Sequence, residues 1–176
     1  GYTNAGKSTV FNRLTHANAY AADQLFATLD TTSRRLYLGE SGEVVLSDTV
    51  GFIKHLPHTL VAAFRSTLTE AVEADLLLHV VDSASPNREQ QIDEVNAVLA
   101  EIGANAPQIM LYNKIDLKGQ ASGVERDEYG RITSVHVSAL TGAGMDLIRD
   151  VLSEFGEKLR NECSMPGMAV AGEATT

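Results

Sequence analysis

Apolar residues are distributed along the chain in blocks that predict strands separated by helices. Leu76–Asp82 and Gln108–Tyr112 are nearly continuous apolar runs, which is the pattern of strands buried on both faces. Arg34–Gly39, Val44–Asp48 and Thr133–Val137 are predicted as further strands. Strands that alternate with helices predict an α/β domain with a mostly parallel sheet flanked by helices.

The segments between these strands carry apolar residues at helical spacing. We predict a short helix from Lys7 to about Thr15 and a second from Leu60 to about Ala74. A third is predicted to start at Ser85-Pro86, with proline at its first helical position, and to stop at Gly103. The last helix is predicted from apolar residues that share one face: Leu147, Ile148, Val151, Leu152 and Phe155.

Two segments lack this periodicity. Lys118–Arg131 is polar and contains glycine, so we predict a surface excursion there. After Arg160 the sequence is rich in Gly, Ala and Thr, and we expect it to be disordered. The predicted organisation is one domain over residues 1–160 and a tail over residues 161–176.

Composition narrows the class of protein. The 176 residues are 44% hydrophobic and 21% charged, which is typical of about one soluble globular domain. No apolar run approaches the roughly 20 residues that span a bilayer, and a single cysteine, Cys163, excludes an internal disulfide. A formal net charge of −9 disfavours general binding to nucleic-acid backbone. We expect a cytoplasmic protein and favour a monomer.

The loop before the first helix is the first candidate for chemistry. Residues 1–8 fit the pattern G-x-x-x-x-G-K-[ST], in which glycines let consecutive backbone N–H groups face phosphates. The dipole of the following helix favours the same anion. Lys7 is predicted to contact the β- and γ-phosphates and Ser8 to ligate Mg²⁺. A turn with a surface lysine is the alternative. The predicted nucleotide-binding residues are Asn4, Ala5, Gly6, Lys7, Ser8 and Thr9.

A phosphate-binding loop of this kind follows a strand and opens a helix. No strand is predicted before Gly1. We therefore expect a P-loop NTPase of the Ras-like G-domain type whose first strand, the central one of the sheet, is missing from this chain. The sequence is then expected to be a fragment of a longer protein.

The pattern D-x-x-G occurs at Asp48–Gly51, where Asp48 ends an apolar strand. A carboxylate there is predicted to reach Mg²⁺ through water, and the N–H of Gly51 to meet the γ-phosphate. Asp116–Gly119 and Asp127–Gly130 also fit the pattern. They lie in or beside the polar excursion, and we predict that they are turns.

A guanine-recognition motif is predicted at the end of a buried strand, where Asn113-Lys114-Ile115-Asp116 fits N-K-x-D. The carboxylate of Asp116 is predicted to accept hydrogen bonds from guanine N1–H and the 2-amino group. Adenine has no such donor pair, so Asp116 would select GTP over ATP. The stem of Lys114 is predicted to lie along the base.

Two further predictions concern loops. Ser138, Ala139 and Leu140 follow the last predicted strand, and their backbone is predicted to meet guanine O6. Ser83-Ala84 is a similar pair elsewhere in the sequence.

Thr28 is our candidate for the switch threonine that reaches Mg²⁺ and the γ-phosphate in the GTP state. Thr31 and Thr32 compete with it.

Together, these motifs resemble translation-factor-related GTPases, and the match is closest to the HflX family of ribosome-associated GTPases. The resemblance covers roughly residues 1–160 and rests on five segments: Gly1–Thr9, Asp23–Asp30, Asp48–Ile53, Leu56–Arg65 and Leu76–Asp82. It implies a separate N-terminal domain, binding to the large ribosomal subunit, and splitting or rescue of stalled ribosomes under stress. The family usually has proline where this chain has Thr31.

The predicted reaction is attack of water on the γ-phosphate of Mg²⁺–GTP, with Lys7, Thr28 and Gly51 as the catalytic candidates. The metal candidates are Ser8, Thr28 and Asp48. Phe52 follows the D-x-x-G glycine, where Ras-type enzymes have a glutamine that orients water. We therefore predict slow intrinsic hydrolysis that a partner stimulates.

Some GTPases with a similar loop use the asparagine at the position of Asn4 to hold K⁺ beside the phosphates, so K⁺ is a candidate ion here. The simpler interpretation is that Asn4 tolerates a tight turn. Two alternatives to a GTP-hydrolysing switch remain open. One is a GTP/GDP-sensing binding module with incidental hydrolysis. The other is a P-loop ATPase or kinase, which Asp116 disfavours.

Overall fold

The computed structural model describes residues 1–16, 32–49, 51 and 65–164. Its helices are α1 (Lys7–Thr15), α2 (Arg65–Glu73), α3 (Arg88–Ile102) and α4 (Met145–Ser164). Its strands are β1 (Thr32–Tyr37), β2 (Glu43–Asp48), β3 (Leu77–Asp82), β4 (Gln108–Asn113), β5 (Gly123–Arg126) and β6 (Ile132–His136). Short 3₁₀ turns cover Gly39–Ser41 and Ile115–Lys118.

The described strands form two sheets. One has four strands in the order β3-β4-β6-β5, with β3, β4 and β6 parallel and β5 antiparallel to β6. The other is the antiparallel pair β1-β2, in which Thr32 pairs with Asp48. The parallel strands bring the ends of β3 and β4 to one edge, where Asp82 and Asn113 are register partners. That edge is where α/β sheets bind ligands.

Apolar side chains from the sheets and from α1 and α4 form the main core. Leu111 and Val137 are fully buried, and Ile148 of α4 is 1% exposed. A smaller cluster packs α2 against α3 through Leu68 and Val95. The packing fixes α1 and the strand ends relative to one another, so the loops above them are held on a rigid frame.

A cavity of about 640 Å³ lies between the two sheets. Its walls include Val44 and Leu46 of β2, Leu78 of β3, and Leu152 and Phe155 of α4. Within the described residues, β2 has β1 as its single strand partner, and β3 has β4.

Several predicted elements agree with the structure. Helix α1 has the predicted bounds, and β3 and β4 lie within one residue of theirs. Gly103 ends α3 with φ 76°, a left-handed conformation that glycine adopts without strain. The predicted Leu60–Ala74 helix is described from Arg65 onward.

The predicted start of α3 is wrong. The helix begins at Arg88 after Asn87, and Pro86 lies in the preceding turn. The N–H of Ser85 donates to the Asp82 carbonyl at 3.2 Å, so the chain makes a turn before it becomes helical. The proline marks this turn and not the first helical position.

The polar excursion contains a strand that sequence reasoning missed. Gly123–Arg126 pairs with β6 as the edge of the four-stranded sheet. Arg126 also forms an ion pair of 2.7 Å with Glu154 of α4.

Helix α4 continues past Arg160 to Ser164, so the first residues of the predicted tail are helical. Residues 165–176 lie outside the described residues.

None of the helices that the structure describes is both long enough and apolar enough to cross a membrane.

Candidate nucleotide-binding site

The loop before α1 has the backbone that its sequence pattern predicts. Gly6 has φ 95° and Asn4 has φ 59°, both in the left-handed region. A Cβ on Gly6 would collide with the side-chain amide of Asn113. Glycine at position 6 is therefore required by both conformation and space. Asparagine tolerates the left-handed region, which accounts for Asn4 without an ion.

Lys7 lies at the base of this loop. Its Nζ donates to the carbonyl of Tyr2 at 2.8 Å. Burial lowers the pKa of Lys7 to about 8, while the charge of Asp48 acts in the opposite direction. The ammonium therefore lies in an enclosed place where a phosphate would be a strong counter-ion.

Gly51 passes directly against the same loop. A Cβ at this position would lie 2.9 Å from Nζ of Lys7 and 2.9 Å from Cα of Thr3. The structure thus brings the D-x-x-G glycine next to the P-loop lysine. A larger residue at position 51 would push on the group predicted to meet the phosphates.

The two described metal candidates are in contact. The hydroxyl of Ser8 donates to Oδ2 of Asp48 at 2.6 Å, although the residues are 40 positions apart. Asp48 is 7% exposed at the end of β2. A hydroxyl and a carboxylate side by side are oxygen donors of the kind Mg²⁺ takes, with waters completing its octahedron. Groups of three or more His, Cys, Asp and Glu suited to a metal do not occur among the described residues, so a dedicated all-protein cage is absent from that part.

Asn113 joins the two loops that the sequence assigns to phosphate and guanine. Its Nδ2 donates to the carbonyl of Ala5 at 3.0 Å, and its Oδ1 accepts from the N–H of Ala139 at 2.9 Å. The side chain is buried, with 3% exposed. Buried amide bonds of this kind fix both loops relative to each other.

Asp116 lies in the 3₁₀ turn after β4. Its Oδ1 is buried and, within the described part of the chain, has no hydrogen-bond partner. A buried carboxylate oxygen without a partner is costly unless a ligand satisfies it. The donor pair of a guanine is a ligand of that kind, so the residues here fit the predicted base.

The loop over residues 138–140 lies against α1. Arg13 donates to the carbonyl of Leu140 at 2.8 Å. The N–H of Ser138 donates to the carbonyl of Ala143 at 2.9 Å, and that of Ala139 is used by Asn113. The Leu140 side chain is 75% exposed. The predicted contact of this loop with guanine O6 stays a prediction.

The other pattern matches are turns, as predicted. The carboxylate of Asp127 accepts from the N–H groups of Tyr129 at 3.0 Å and Arg131 at 2.8 Å. Gly119 follows the 3₁₀ turn that contains Asp116. Ser83 and Ala84 lie in the turn after β3.

Only some of the residues predicted to act in the switch region are among the described residues. Thr28, Thr31 and Phe52 lie outside the described residues, while Thr32 opens β1. The catalytic and metal roles of Thr28 stay predictions. Thr9 lies in α1, next to the proposed metal ligand Ser8.

Two residues near the site were missed by sequence reasoning. Asp82 ends β3 and forms an ion pair of 2.7 Å with Lys114. His79 is 3% exposed, and burial lowers its pKa to about 4. A polar residue inside the apolar run Leu76–Asp82 was the available signal for His79.

Known proteins give an independent identification. The family model described as 50S ribosome-binding GTPase matches residues 1–114. The GTPase HflX of Escherichia coli (strain K12) is 51% identical over 170 residues, covering 94% of this chain and 40% of that protein. The GTPase HflX of Caldanaerobacter subterraneus subsp. tengcongensis is 51% identical over 154 residues, covering 86% of this chain and 34% of that protein. The chain thus spans two-fifths or less of each of these two relatives.

Solved structures give the same fold. A GTP-binding protein from Sulfolobus solfataricus in complex with GDP matches with a TM-score of 0.66 and 29% identity, covering 90% of this chain and 51% of that one. Era Y63A of Aquifex aeolicus bound to GDP.AlF4- matches with a TM-score of 0.67 over 88% of this chain and 54% of that one; at 21% identity it supports the fold alone. The fold is the α/β fold of P-loop GTPases, and the chain belongs to the 50S ribosome-binding GTPase family.

Proposed function

We propose that this chain binds Mg²⁺ with GTP or GDP and hydrolyses GTP. The observation that carries the proposal is Oδ1 of Asp116 in the 3₁₀ turn after β4, which is buried and has no hydrogen-bond partner among the described residues. Asn113 holds that end of the sheet against the P-loop, so the guanine and phosphate candidates share one site. The GDP complex of the Sulfolobus solfataricus protein supports guanine nucleotide as the ligand.

The proposed site would hold the metal through Ser8 and Asp48, whose oxygens lie 2.6 Å apart. Mg²⁺, when bound, supplies positive charge to the β- and γ-phosphates. Lys7 would exchange its bond to the Tyr2 carbonyl for the phosphate oxygens. The N–H groups of the P-loop and of Gly51 would complete the anion site, and Thr28 is proposed to join it in the GTP state.

We propose that the attack of water on the γ-phosphate is slow in the isolated chain. Catalysis of phosphoryl transfer rests on positioning and on charge stabilisation. Phe52 follows Gly51 and offers no hydrogen bond to a water molecule. A partner that orients the attacking water would therefore raise the rate.

The partner we propose is the large ribosomal subunit. Support comes from the family description, 50S ribosome-binding GTPase, and from the match to HflX proteins. Ribosome splitting or rescue under stress is the corresponding cellular role, and a cytoplasmic location would follow from it. With a net charge of −9, the chain would reach the subunit through a local patch, through a protein contact or through another domain of the longer protein.

We infer that the chain is the GTPase domain of a longer protein. It spans 40% of the Escherichia coli relative. We also infer that the predicted central strand occupies the cavity between β2 and β3, since Val44, Leu46 and Leu78 of these strands line it and each strand has a single strand partner among the described residues. A peptide with the sequence that precedes the P-loop in the longer protein should then raise the melting temperature of this chain, and a scrambled peptide should not.

K⁺ beside Asn4 is a separate proposal that rests on the loop pattern alone. Equal turnover in KCl and in NaCl would contradict it. Faster turnover in KCl that is lost in Asn4→Ala would support it.

The experiment that tests the main proposal is GTP turnover with and without purified large ribosomal subunits, on the longest available form of the protein. ATP serves as the competing nucleotide. Turnover that the subunit stimulates and ATP does not inhibit would support the proposal. Tight GTP binding with turnover that the subunit leaves unchanged would favour the alternative, a GTP/GDP-sensing module.

A further inference from the structure

The ends of β3 and β4 carry an ion pair that the sequence motifs do not include. Oδ2 of Asp82 accepts from Nζ of Lys114 at 2.7 Å. The two residues are on neighbouring parallel strands, because Asp82 is the register partner of Asn113. The side chain of Asp82 is 22% exposed and that of Lys114 is 32% exposed. The pair is therefore partly shielded from water, and its charges interact more strongly than those of a surface pair.

Both ends of this interaction are fixed by the backbone. The other oxygen of Asp82, Oδ1, accepts from the N–H of Ala84 at 2.9 Å, which holds the carboxylate in one orientation. Nζ of Lys114 also donates to the carbonyl of Asn4 in the P-loop at 2.8 Å. The ammonium of Lys114 is thus held by two acceptors from separate parts of the chain.

The path of the Lys114 side chain follows from these contacts. Its backbone has φ 65°, at the start of the turn that presents Asp116. Its Nζ reaches the P-loop carbonyl of Asn4, so the aliphatic stem spans the gap between the guanine turn and the phosphate loop. A lysine stem held at both ends offers a flat apolar surface with little entropy left to lose.

We propose that Asp82 is a positioning residue for the guanine base. It holds the stem of Lys114 in place under the ring, and it acts only through Lys114. The inference rests on the proposed binding of guanine nucleotides and deepens it, because it assigns part of the nucleotide affinity to a residue outside the recognised motifs.

A purely structural role for Asp82 predicts a different pattern. The Oδ1 contact to Ala84 stabilises the turn after β3 whether or not a base is bound. Asp82→Asn separates the two roles, since the amide oxygen still accepts from Ala84 while the charge facing Lys114 is lost. The structural role alone would lower the melting temperature and leave nucleotide affinity unchanged.

The test is a double-mutant cycle on the dissociation constant for GDP, measured by titration calorimetry. The variants are Asp82→Asn, Lys114→Met and the two combined. We expect Asp82→Asn to weaken GDP binding by about five- to twenty-fold, in the range of a partly shielded charged contact. The combined variant should bind no more weakly than Lys114→Met alone, because the effect of Asp82 passes through the ammonium.

A second nucleotide distinguishes this contact from recognition by Asp116. Inosine diphosphate lacks the 2-amino group but keeps the ring surface, so Asp82→Asn should weaken GDP and inosine diphosphate by the same factor. Asp127→Asn is the matched control, because Asp127 pairs with Arg131 at 2.7 Å in the turn before β6. The control should bind GDP as the unmodified chain does.

Unchanged GDP binding in Asp82→Asn, or losses that add in the combined variant, would overturn the role of Asp82. A loss confined to GDP would assign the effect to Asp116 and also overturn it. If Asp82→Asn does not fold, Lys114→Met tests the same pair, and GDP binding unchanged in Lys114→Met would overturn the inference. Absence of GDP binding in the unmodified chain would overturn the proposed function, and this inference with it.

Discussion

The two halves of the proposed site differ in how far the protein satisfies its own polar groups. In the phosphate half, Lys7 donates to the carbonyl of Tyr2 and Ser8 donates to Asp48. In the guanine half, Oδ1 of Asp116 is buried without a partner in the described part of the chain. A nucleotide would have to displace internal hydrogen bonds in the first half, while in the second half Oδ1 of Asp116 has no internal hydrogen bond to give up among the described residues.

This contrast indicates how the affinity for a nucleotide is divided between the two halves. An internal bond that must be broken reduces the net gain from the phosphate contacts. An acceptor without an internal hydrogen bond gives up none when it binds a donor. We therefore expect the guanine half to provide specificity from a rigid frame and the phosphate half to rearrange on binding.

Lys7→Met should produce the largest loss and tests the phosphate half. The variant keeps the length of the side chain but removes the ammonium, so GDP affinity should fall by about 100-fold, or roughly 3 kcal/mol. Guanosine, which has no phosphates, should bind both proteins equally in the same calorimetric titration. Lys158→Met is the control, since that lysine pairs with Glu154 on α4. An equal loss for guanosine would show that the variant damages the whole site.

Asn113→Ala tests whether the two halves are mechanically joined. It leaves the Ala5 carbonyl and the Ala139 N–H without their partner. The free energy of unfolding should fall by about 2–4 kcal/mol, because both orphaned groups are buried. Guanosine and inorganic phosphate should both bind more weakly. Asn105→Ala, which removes an exposed contact to the Gly103 carbonyl, should change neither stability nor binding. A stability loss with intact binding would mean that the halves do not depend on this link.

His79 gives a pH-dependent prediction for the frame beneath the site. Burial lowers its pKa to about 4 in the folded chain, against a usual value of about 6.5 in the unfolded chain. Between these values the unfolded chain binds more protons, so stability is full above about pH 6.5 and falls by about 3 kcal/mol as pH is lowered toward 4. Denaturant unfolding at several pH values measures this slope.

His79→Gln should flatten that slope, and His16→Asn, which removes an exposed histidine, should leave it unchanged. Identical slopes in His79→Gln and in the unmodified chain would contradict the assignment to His79.

The smallest effect is expected far from both halves. Glu154→Gln breaks the pairs with Arg126 and Lys158 at the surface. Exposed pairs contribute about 0–1 kcal/mol, so the melting temperature should change little and GDP affinity should not change. A tenfold loss of GDP affinity would show that the edge of the sheet is energetically coupled to the nucleotide site.

The sequence predicted the parts of the site whose backbone pattern is local. The P-loop, α1 and the ends of β2 and β4 follow from contiguous motifs and apolar runs, and the structure places them together. The residues that sequence reasoning missed depend on contacts between distant positions. Asp82 and Lys114 are 32 positions apart, and only the parallel pairing of β3 and β4 brings them together.

Elements were missed where local signals are weak. Strand β5 has four residues, Gly123–Arg126, with two exposed positions at its end, so it carries no clear alternation. Pro86 lies in a turn that precedes α3. This turn forms because the N–H of Ala84 donates to the carboxylate of Asp82 and the N–H of Ser85 donates to the carbonyl of Asp82. Tertiary contacts therefore decided both outcomes.

The most direct test of the central claim is an exchange of base specificity at Asp116. Dissociation constants for GDP and xanthosine diphosphate are measured for the unmodified chain and for Asp116→Asn. We expect the unmodified chain to prefer GDP and the variant to prefer xanthosine diphosphate, each by on the order of 100-fold, because the 2-oxo group reverses the hydrogen-bond demand. GDP bound equally by both proteins, with no gain for xanthosine diphosphate, would contradict it.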